Sequence, residues 1–343
     1  MTVRGFTSQP EKVESLPIIS ESAVVTDVVA LDRDRRTEIR ERLRTLASRH
    51  GFEGEIPRDG EIDWSAVFTA ATAKQRRLAP VIGALRDRYL REHPALVKVV
   101  FESEQPFDFA AGQYLSVRYG GRTRAYSIAS SPTADATELC IRRVPDGRLS
   151  VRLCDELEPG DRLAIRGPSG DLLLEDPSDR DLVFLATGTG VAPMKSMIDY
   201  TFATGRDTFA GQKRDVWLFL GAAWKDDLPY HDQFTAMADE HDHFHYVPCL
   251  SREAWLSRWH GETDYVQDVL MKHVDERALE DAVFGYHMAE MMEDRPERDE
   301  PIGIDPHAVE VYACGLNAMV FGMETAVTRL GVPSHRIHAE GYG

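Results

Sequence analysis

Residues 181–205 read DLVFLATGTGVAPMKSMIDYTFATG. The opening DLVFLAT is a short apolar run, with the length and texture of a strand buried on both faces. Gly188 and Gly190 turn the chain within TGTG, and VAPMKSMIDYTFATG then reads as a helix. A buried strand that passes through a glycine turn into a helix is the repeating unit of a doubly wound α/β sheet. The free N–H groups and positive dipole end of such a helix can hold phosphate. The glycine spacing differs from the GxGxxG fingerprint, so this turn alone names no ligand.

Toward the C-terminus the alternation continues. VWLFLGAA (216–223), HFHYVPCL (243–250) and VEVYACG (309–315) are apolar strands, and DQFTAMADEH (232–241) is a helix between the first two. Toward the N-terminus the texture is different. ALVKVVFES (95–103), QYLSVRYG (113–120), RAYSIASS (124–131), ELCIRRV (138–144) and RLAIRG (162–167) are short strands separated by Gly, Pro and Asp turns, the pattern of an antiparallel barrel. SAVVTDVVALD (22–32) is a further β-rich stretch after a flexible start. Residues 37–94 are helical: Ile39, Leu43 and Leu46 recur at helical spacing, and residues 63–93 hold one or two more helices, broken or started by Pro80. The fold class is therefore two domains, an antiparallel β-barrel followed by a doubly wound α/β domain with a parallel sheet, with an extra N-terminal helical segment. The expected boundaries are 1–175, with the helical insertion at about 37–94, and 176–343. MMEDRPERDEPIGIDPH (291–307) is expected to be an exposed loop.

The chain has 343 residues, 40 Lys+Arg against 57 Asp+Glu, and a formal net charge of −17. No basic surplus is available to neutralise phosphates, which argues against a general nucleic-acid binder. Hydrophobic residues make up 43% of the chain, enough for a packed core. No run approaches the roughly 18–20 apolar residues of a membrane span. The start, MTVRGFTSQPEKVESLP, lacks the apolar region of a secretory signal. Cys140, Cys154, Cys249 and Cys314 are widely spaced and form no CxxC or C-x4-C-x2-C cluster, which excludes a plant-type iron–sulfur domain and a zinc ribbon. Without a disulfide framework, the expected setting is the cytoplasm with reduced thiols. His231, His241, His243 and His245 have no acidic or thiol partner at ligand spacing, so no metal is expected.

Several motifs stand in a fixed order. Gly112-Gln113-Tyr114 precedes Arg124-Ala125-Tyr126-Ser127 on a barrel strand. Gly147-Arg148-Leu149-Ser150 and GPSG (167–170) follow, then Thr187-Gly188-Thr189-Gly190-Val191-Ala192-Pro193, and finally Tyr312-Ala313-Cys314-Gly315. Taken together, this set resembles the ferredoxin–NADP reductase family of flavoproteins over residues 95–343 and the strand before residue 36. It is most similar to the plant-type branch through VWLFLG, the SRE at Ser251–Glu253, Tyr265-x-Gln267 and YACGL.

The resemblance implies an FAD-binding barrel and an NADP-binding α/β domain. It implies that Arg124 pairs with the FAD pyrophosphate, for which a guanidinium fork is suited. Tyr126 would lie against the isoalloxazine, and Ser127 would hydrogen-bond near the flavin atom that exchanges hydride. Gly147, Arg148, Leu149 and Ser150 would present N–H groups and a hydroxyl to the pyrophosphate, glycine allowing close approach. Thr187, Gly188 and Gly190 would line the nicotinamide and pyrophosphate path, with Cys314 near the hydride-bearing carbon as a polarisable wall. Ser251 and Arg252 would hold the 2′-phosphate, with Tyr265 stacked on adenine and Gln267 hydrogen-bonded to it. In the C-terminal Glu340-Gly341-Tyr342-Gly343, Tyr342 would cover the flavin and Glu340 would contact the nicotinamide or relay a proton.

The implied activity is hydride exchange between NADPH and flavin, and single-electron exchange with a separate carrier such as ferredoxin. Two arginine groups, Arg118, Arg122 and Arg124 and then Arg142, Arg143, Arg148 and Arg152, flank the flavin motif and could steer an acidic partner. Two alternatives remain: an NADH-dependent reductase component of a multicomponent oxygenase, and a non-enzymatic flavin-binding electron-transfer or regulatory subunit.

Overall fold

The computed structural model describes residues 16–279, 296–297 and 303–342. The flexible start expected before the first strand falls largely outside these residues, as do most of the loop expected at 291–307 and Gly343.

Six antiparallel strands form the first sheet: β1 (Ile19–Ala30), β2 (Leu96–Ser103), β3 (Tyr114–Tyr119), β4 (Arg122–Ser127), β5 (Thr137–Arg142) and β6 (Arg162–Ser169), in the order β4-β3-β6-β1-β2-β5. The edges approach each other just beyond β4, where Ile128 bridges Leu139 and the Ala129 N–H donates to the Glu138 carbonyl at 2.8 Å. The sheet thus curls into a partly closed barrel. Its interior is set by strand alternation: Val97, Val99 and Phe101 of β2 point inward to meet Val25, Leu115, Val117, Leu139, Ile141, Leu163 and Ile165. Each such side chain, fully buried, contributes about 1.5–3 kcal/mol.

The second sheet is parallel, in the order β11-β10-β7-β12-β13, with β7 (Asp181–Thr187), β8 (Thr208–Phe209) and β9 (Gln212–Lys213) in a small separate hairpin, β10 (Val216–Ala222), β11 (Phe244–Leu250), β12 (Val309–Leu316) and β13 (Ile337–Tyr342). Residues of β7 divide between two cores. Leu182, Phe184 and Ala186 face one layer with Met194, Met197 and Ile198 of the helix Val191–Ala203. Val183 and Leu185 face the other, with Val269 and Leu270 of the helix Val266–Met271 and Met323, Ala326 and Val327 of the helix Asn317–Arg329. A strand apolar on both faces is what lets helices cover both sides. β13 carries no sequence signal of this kind: IHAEGY is polar and only half-buried, and it is held by its ladder to β12.

Between β1 and β2 the chain makes three helices, α1 (Arg36–His50), α2 (Trp64–Lys74) and α3 (Ala79–Leu90). Pro80 stands in the first turn of α3, where its missing N–H costs nothing. Asp63 caps α2 by accepting from the Ser65 and Ala66 N–H groups, both at 3.0 Å. The helices bury Ile39, Leu43, Leu46, Val67, Ile82 and Leu85 together. Trp224 and Leu256, which follow the parallel strands β10 and β11, complete the same core.

Candidate active site

In an open parallel sheet the loops at the carboxyl ends of the strands form the binding crevice. Here those ends are Thr187–Thr189 at the end of β7, Gly221–Ala223 at the end of β10, Cys249, Ser251 and Arg252 at the end of β11, and Cys314 and Leu316 in β12. All of them line one cavity of about 1150 Å³. The opposite wall comes from the barrel: Tyr114, Arg124, Tyr126, Ser127, Cys140, Arg142, the residues Arg143 to Pro145 and the turn from Gly147 to Ser150. The cavity therefore runs between the two sheets. One end holds the residues expected to bind flavin and the other holds those expected to bind a dinucleotide.

Most expected site residues meet there. Arg124, Tyr126, Ser127, Gly147, Arg148, Leu149, Ser150, Thr187, Gly188, Ser251, Arg252, Tyr265, Cys314, Glu340 and Tyr342 all line the cavity. Arg124 is exposed and donates to the Thr123 carbonyl at 2.9 Å, leaving other guanidinium N–H groups for an anion. Burial pushes the Tyr126 phenol up to about 12, so it stays a neutral donor. Gly188 has φ +53 with nothing within 4 Å of an added Cβ, so the glycine serves the turn and leaves backbone open to the cavity. The Thr187 hydroxyl is buried without a protein partner, as a group meant for a ligand would be. Tyr265 lines the cavity and stands 58% exposed, a free aromatic face. These features fit a flavin and a nicotinamide dinucleotide.

Two expected residues behave differently. Gly190 is buried and does not line the cavity. An added Cβ would stand 2.6 Å from the Cys314 carbonyl carbon and 2.8 Å from the Gly315 nitrogen. Its role is close packing of the turn on β12. Gln267 is also absent from the cavity wall. Tyr265 is the extended residue before the helix Val266–Met271, and Gln267, in the first turn of that helix, lies toward Gly322 with its Oε1 buried and unpartnered.

Cys314 and Glu340 are register partners on β12 and β13, so both project from the same side of the sheet. Burial, with the Glu340 charge adding to it, pushes the Cys314 thiol up to about 12. A thiol so held is a neutral wall, unsuited to nucleophilic attack. Burial, followed by Asp171, raises the Glu340 carboxyl above its ordinary value. The Tyr342 hydroxyl reaches Thr189 Oγ1 at 3.1 Å and donates to the Thr187 carbonyl at 3.3 Å, which lays the ring across the glycine turn.

Sequence reasoning missed Cys140 and Asp227 as wall residues, and took Arg142 only as part of a surface patch. Strand alternation held the signal, since Cys140 and Arg142 are two apart on β5 and share a face. Arg143 is committed to Glu92 and Asp155, and Arg152 to Glu156 at 2.8 Å. Arg118, Arg122 and Arg148 are exposed with no carboxylate partner among the described residues. The histidines have separate roles: His231 meets the Tyr246 hydroxyl at 3.1 Å, His243 meets Asp207 at 2.8 Å and His245 meets Asp215 at 3.0 Å. Among the described residues no helix is long and apolar enough to cross a membrane.

Two family models match. Residues 95–173 match the oxidoreductase FAD-binding domain and residues 184–325 the oxidoreductase NAD-binding domain. The chain is 35% identical over 243 residues to ferredoxin–NADP reductase B of Sorangium cellulosum, covering 69% of this chain and 86% of that one. It is 29% identical over 187 residues to the phenol hydroxylase P5 protein of Acinetobacter pittii, covering 54% and 51%. The chain spans about half the length of the first curated relatives it matches. The structure of an Amycolatopsis cytochrome P450 reductase superposes with a TM-score of 0.61 at 22% identity, over 95% of this chain and 71% of that one. The order of sheets, the shared crevice and these matches lead to one assignment: this chain belongs to the ferredoxin–NADP reductase family of FAD-dependent, NAD(P)H-linked oxidoreductases.

Proposed function

We propose that the chain takes hydride from NADPH onto FAD and passes single electrons to a separate carrier protein of the ferredoxin kind. The observation that carries this reading is the single cavity, with the R-A-Y-S strand on one wall and Cys314, Glu340 and Tyr342 on the other. When bound, FAD supplies the conversion between two-electron hydride chemistry and one-electron transfer. Arg124 and the Gly147–Ser150 turn hold its pyrophosphate, and Tyr126 and Ser127 orient its ring. Thr187 and Gly188 admit the nicotinamide, Cys314 forms the polarisable wall beside it, and Glu340 contacts the nicotinamide or relays a proton. Tyr342 covers this space until the nicotinamide enters. Ser251 and Arg252 take the 2′-phosphate, and Tyr265 stacks on adenine.

The proposed division is a flavin domain at 1–175 carrying the helical insertion, and a dinucleotide domain at 176–343. Four buried free cysteines suit a cytoplasmic setting. Arg118, Arg122 and Arg148 offer an acidic carrier a local positive surface on a chain of net charge −17. Charge reversal at Arg118 and Arg122 should slow ferredoxin reduction and leave small artificial acceptors unaffected. Equal rates would remove this surface from the reading.

Asp264 favours a second reading. Asp264 lines the cavity beside Tyr265; its Oδ2 accepts from Lys272 Nζ at 2.9 Å, and its other oxygen would accept from a ribose hydroxyl, as NADH requires. The chain would then serve an oxygenase as its NADH-dependent reductase component. Anaerobic titration separates the two. Bleaching of the flavin by NADPH at much lower concentration than by NADH supports the first, and the reverse order supports the second. Protein that binds no FAD would overturn both.

A further inference from the structure

The Ser251-Arg252-Glu253 turn places a carboxylate directly after the cation expected to meet the 2′-phosphate. Glu253 does not face the cavity. It is 1% exposed, and both carboxylate oxygens are gripped by Arg35, at 2.7 and 2.8 Å. The Lys225 N–H and the Ser257 hydroxyl complete its shell at 2.7 and 2.6 Å. Arg35 is itself 1% exposed and is also held by Glu38 and by Asp226 at 3.1 Å. Arg35 stands immediately before α1, at the entrance to the helical insertion, 218 residues away from Glu253 in sequence. A second tie runs parallel: Arg42 of α1 donates to the Trp255 carbonyl at 2.7 Å. Ser251 and Arg252 on the other side of the turn are exposed and line the cavity.

We propose that the helical insertion sets dinucleotide choice from a distance: Arg35 is a positioning residue that keeps Glu253 out of the 2′-phosphate subsite. This rests on the assignment of that subsite to Ser251 and Arg252. A carboxylate released from Arg35 stays within a residue of Arg252. There it repels a phosphate dianion and competes for the same guanidinium. A bidentate guanidinium–carboxylate pair fixes direction as well as charge, which a lysine cannot reproduce.

The test is calorimetric binding of adenosine 2′,5′-bisphosphate and adenosine 5′-phosphate to the FAD-loaded full chain, with no turnover involved. Wild type should prefer the bisphosphate. Arg35→Met should weaken the bisphosphate about tenfold, the scale of one lost screened charge contact, and leave the 5′-phosphate unchanged. Arg35→Lys, which keeps a buried cation and carries the test if the Met variant does not fold, should fall between. Arg35→Gln with Glu253→Gln removes the carboxylate altogether and should restore the preference. An unchanged preference in Arg35→Lys and Arg35→Met, or failure of the double variant to restore it, overturns the proposal while leaving the subsite assignment intact. A wild type without preference overturns both.

Discussion

Gly190→Ala tests how closely the glycine turn is welded to the neighbouring strand. The new methyl would stand 2.6 Å from the Cys314 carbonyl carbon, 2.8 Å from the Gly315 nitrogen and nearer still to the Cys314 oxygen. These are backbone atoms of a central strand, paired with β7 and β13 on either side, so they cannot swing aside as a side chain could. Overpacking of this kind costs roughly 1–3 kcal/mol. For a chain of 343 residues unfolding as one unit, at roughly 2.1 cal/mol/K per residue, that is a fall in melting temperature of roughly 1–4 °C. The turn must also move away from Cys314, so nicotinamide affinity should fall along with stability. Gly188→Ala is the control. Its methyl meets nothing within 4 Å but sits at φ +53, so the cost is the roughly 1–2 kcal/mol of a left-handed alanine. The assay is thermal unfolding of both variants with FAD bound, followed by the concentration of NADPH that half-bleaches the flavin. A Gly190→Ala protein that melts with wild type and binds NADPH normally would refute the reasoning.

Arg124→Ala removes a charge-assisted contact to phosphate worth roughly 1.5–3 kcal/mol, so FAD should bind about 10- to 150-fold more weakly in equilibrium dialysis. Burial opposes ionisation of Glu253, but hydrogen bonds from Arg35, Ser257 and the Lys225 N–H outweigh it and hold the carboxyl below its ordinary 4.5. Its contribution to stability is therefore complete above that value and lost as pH falls through the lower folded value. Urea unfolding of Glu253→Gln should show a smaller loss of stability than wild type across that acid range. All four thiols are buried, with Cys140, Cys154 and Cys314 pushed up to about 12 and Cys249 also raised. A thiol reagent at pH 7.5 should label none of them rapidly until denaturant is added. Tyr342→Phe deletes the bonds to Thr187 and Thr189, so NADPH should enter more readily and its half-bleaching concentration should fall a few-fold.

Strands apolar on both faces, such as β7 and β10, were legible because a parallel sheet sandwiched between helices demands that texture. The first inserted helix was legible through the spacing of Ile39, Leu43 and Leu46, which the structure buries together, while residues 63–93 read as one or two helices and form α2 and α3. β13 was not, because IHAEGY has neither alternation nor an apolar run and is ordered by a neighbour already in place. At the site, local motifs pointed to Arg124, Ser127 and Cys314. The motifs could not tell that Gly190 serves packing, or that Gln267 turns from the cavity, since both depend on which direction a helix presents. Nor could adjacency in SRE reveal that Glu253 faces the opposite way from Arg252. Its partner lies at the far end of a different structural unit.

The core beneath α1, α2 and α3 draws Trp224 and Leu256 from the other half of the molecule. Two halves that share a hydrophobic nucleus cannot lose it separately. Heat should therefore melt both sheets in one cooperative transition, and a calorimetric trace should show a single endotherm in place of two. Leu172 and Leu174 also lie in the buried core of β7 and the helix Val191–Ala203, so the connection at 170–180 is packed against the second sheet. Opening the crevice for a dinucleotide then falls to the side chains and short turns of its rim.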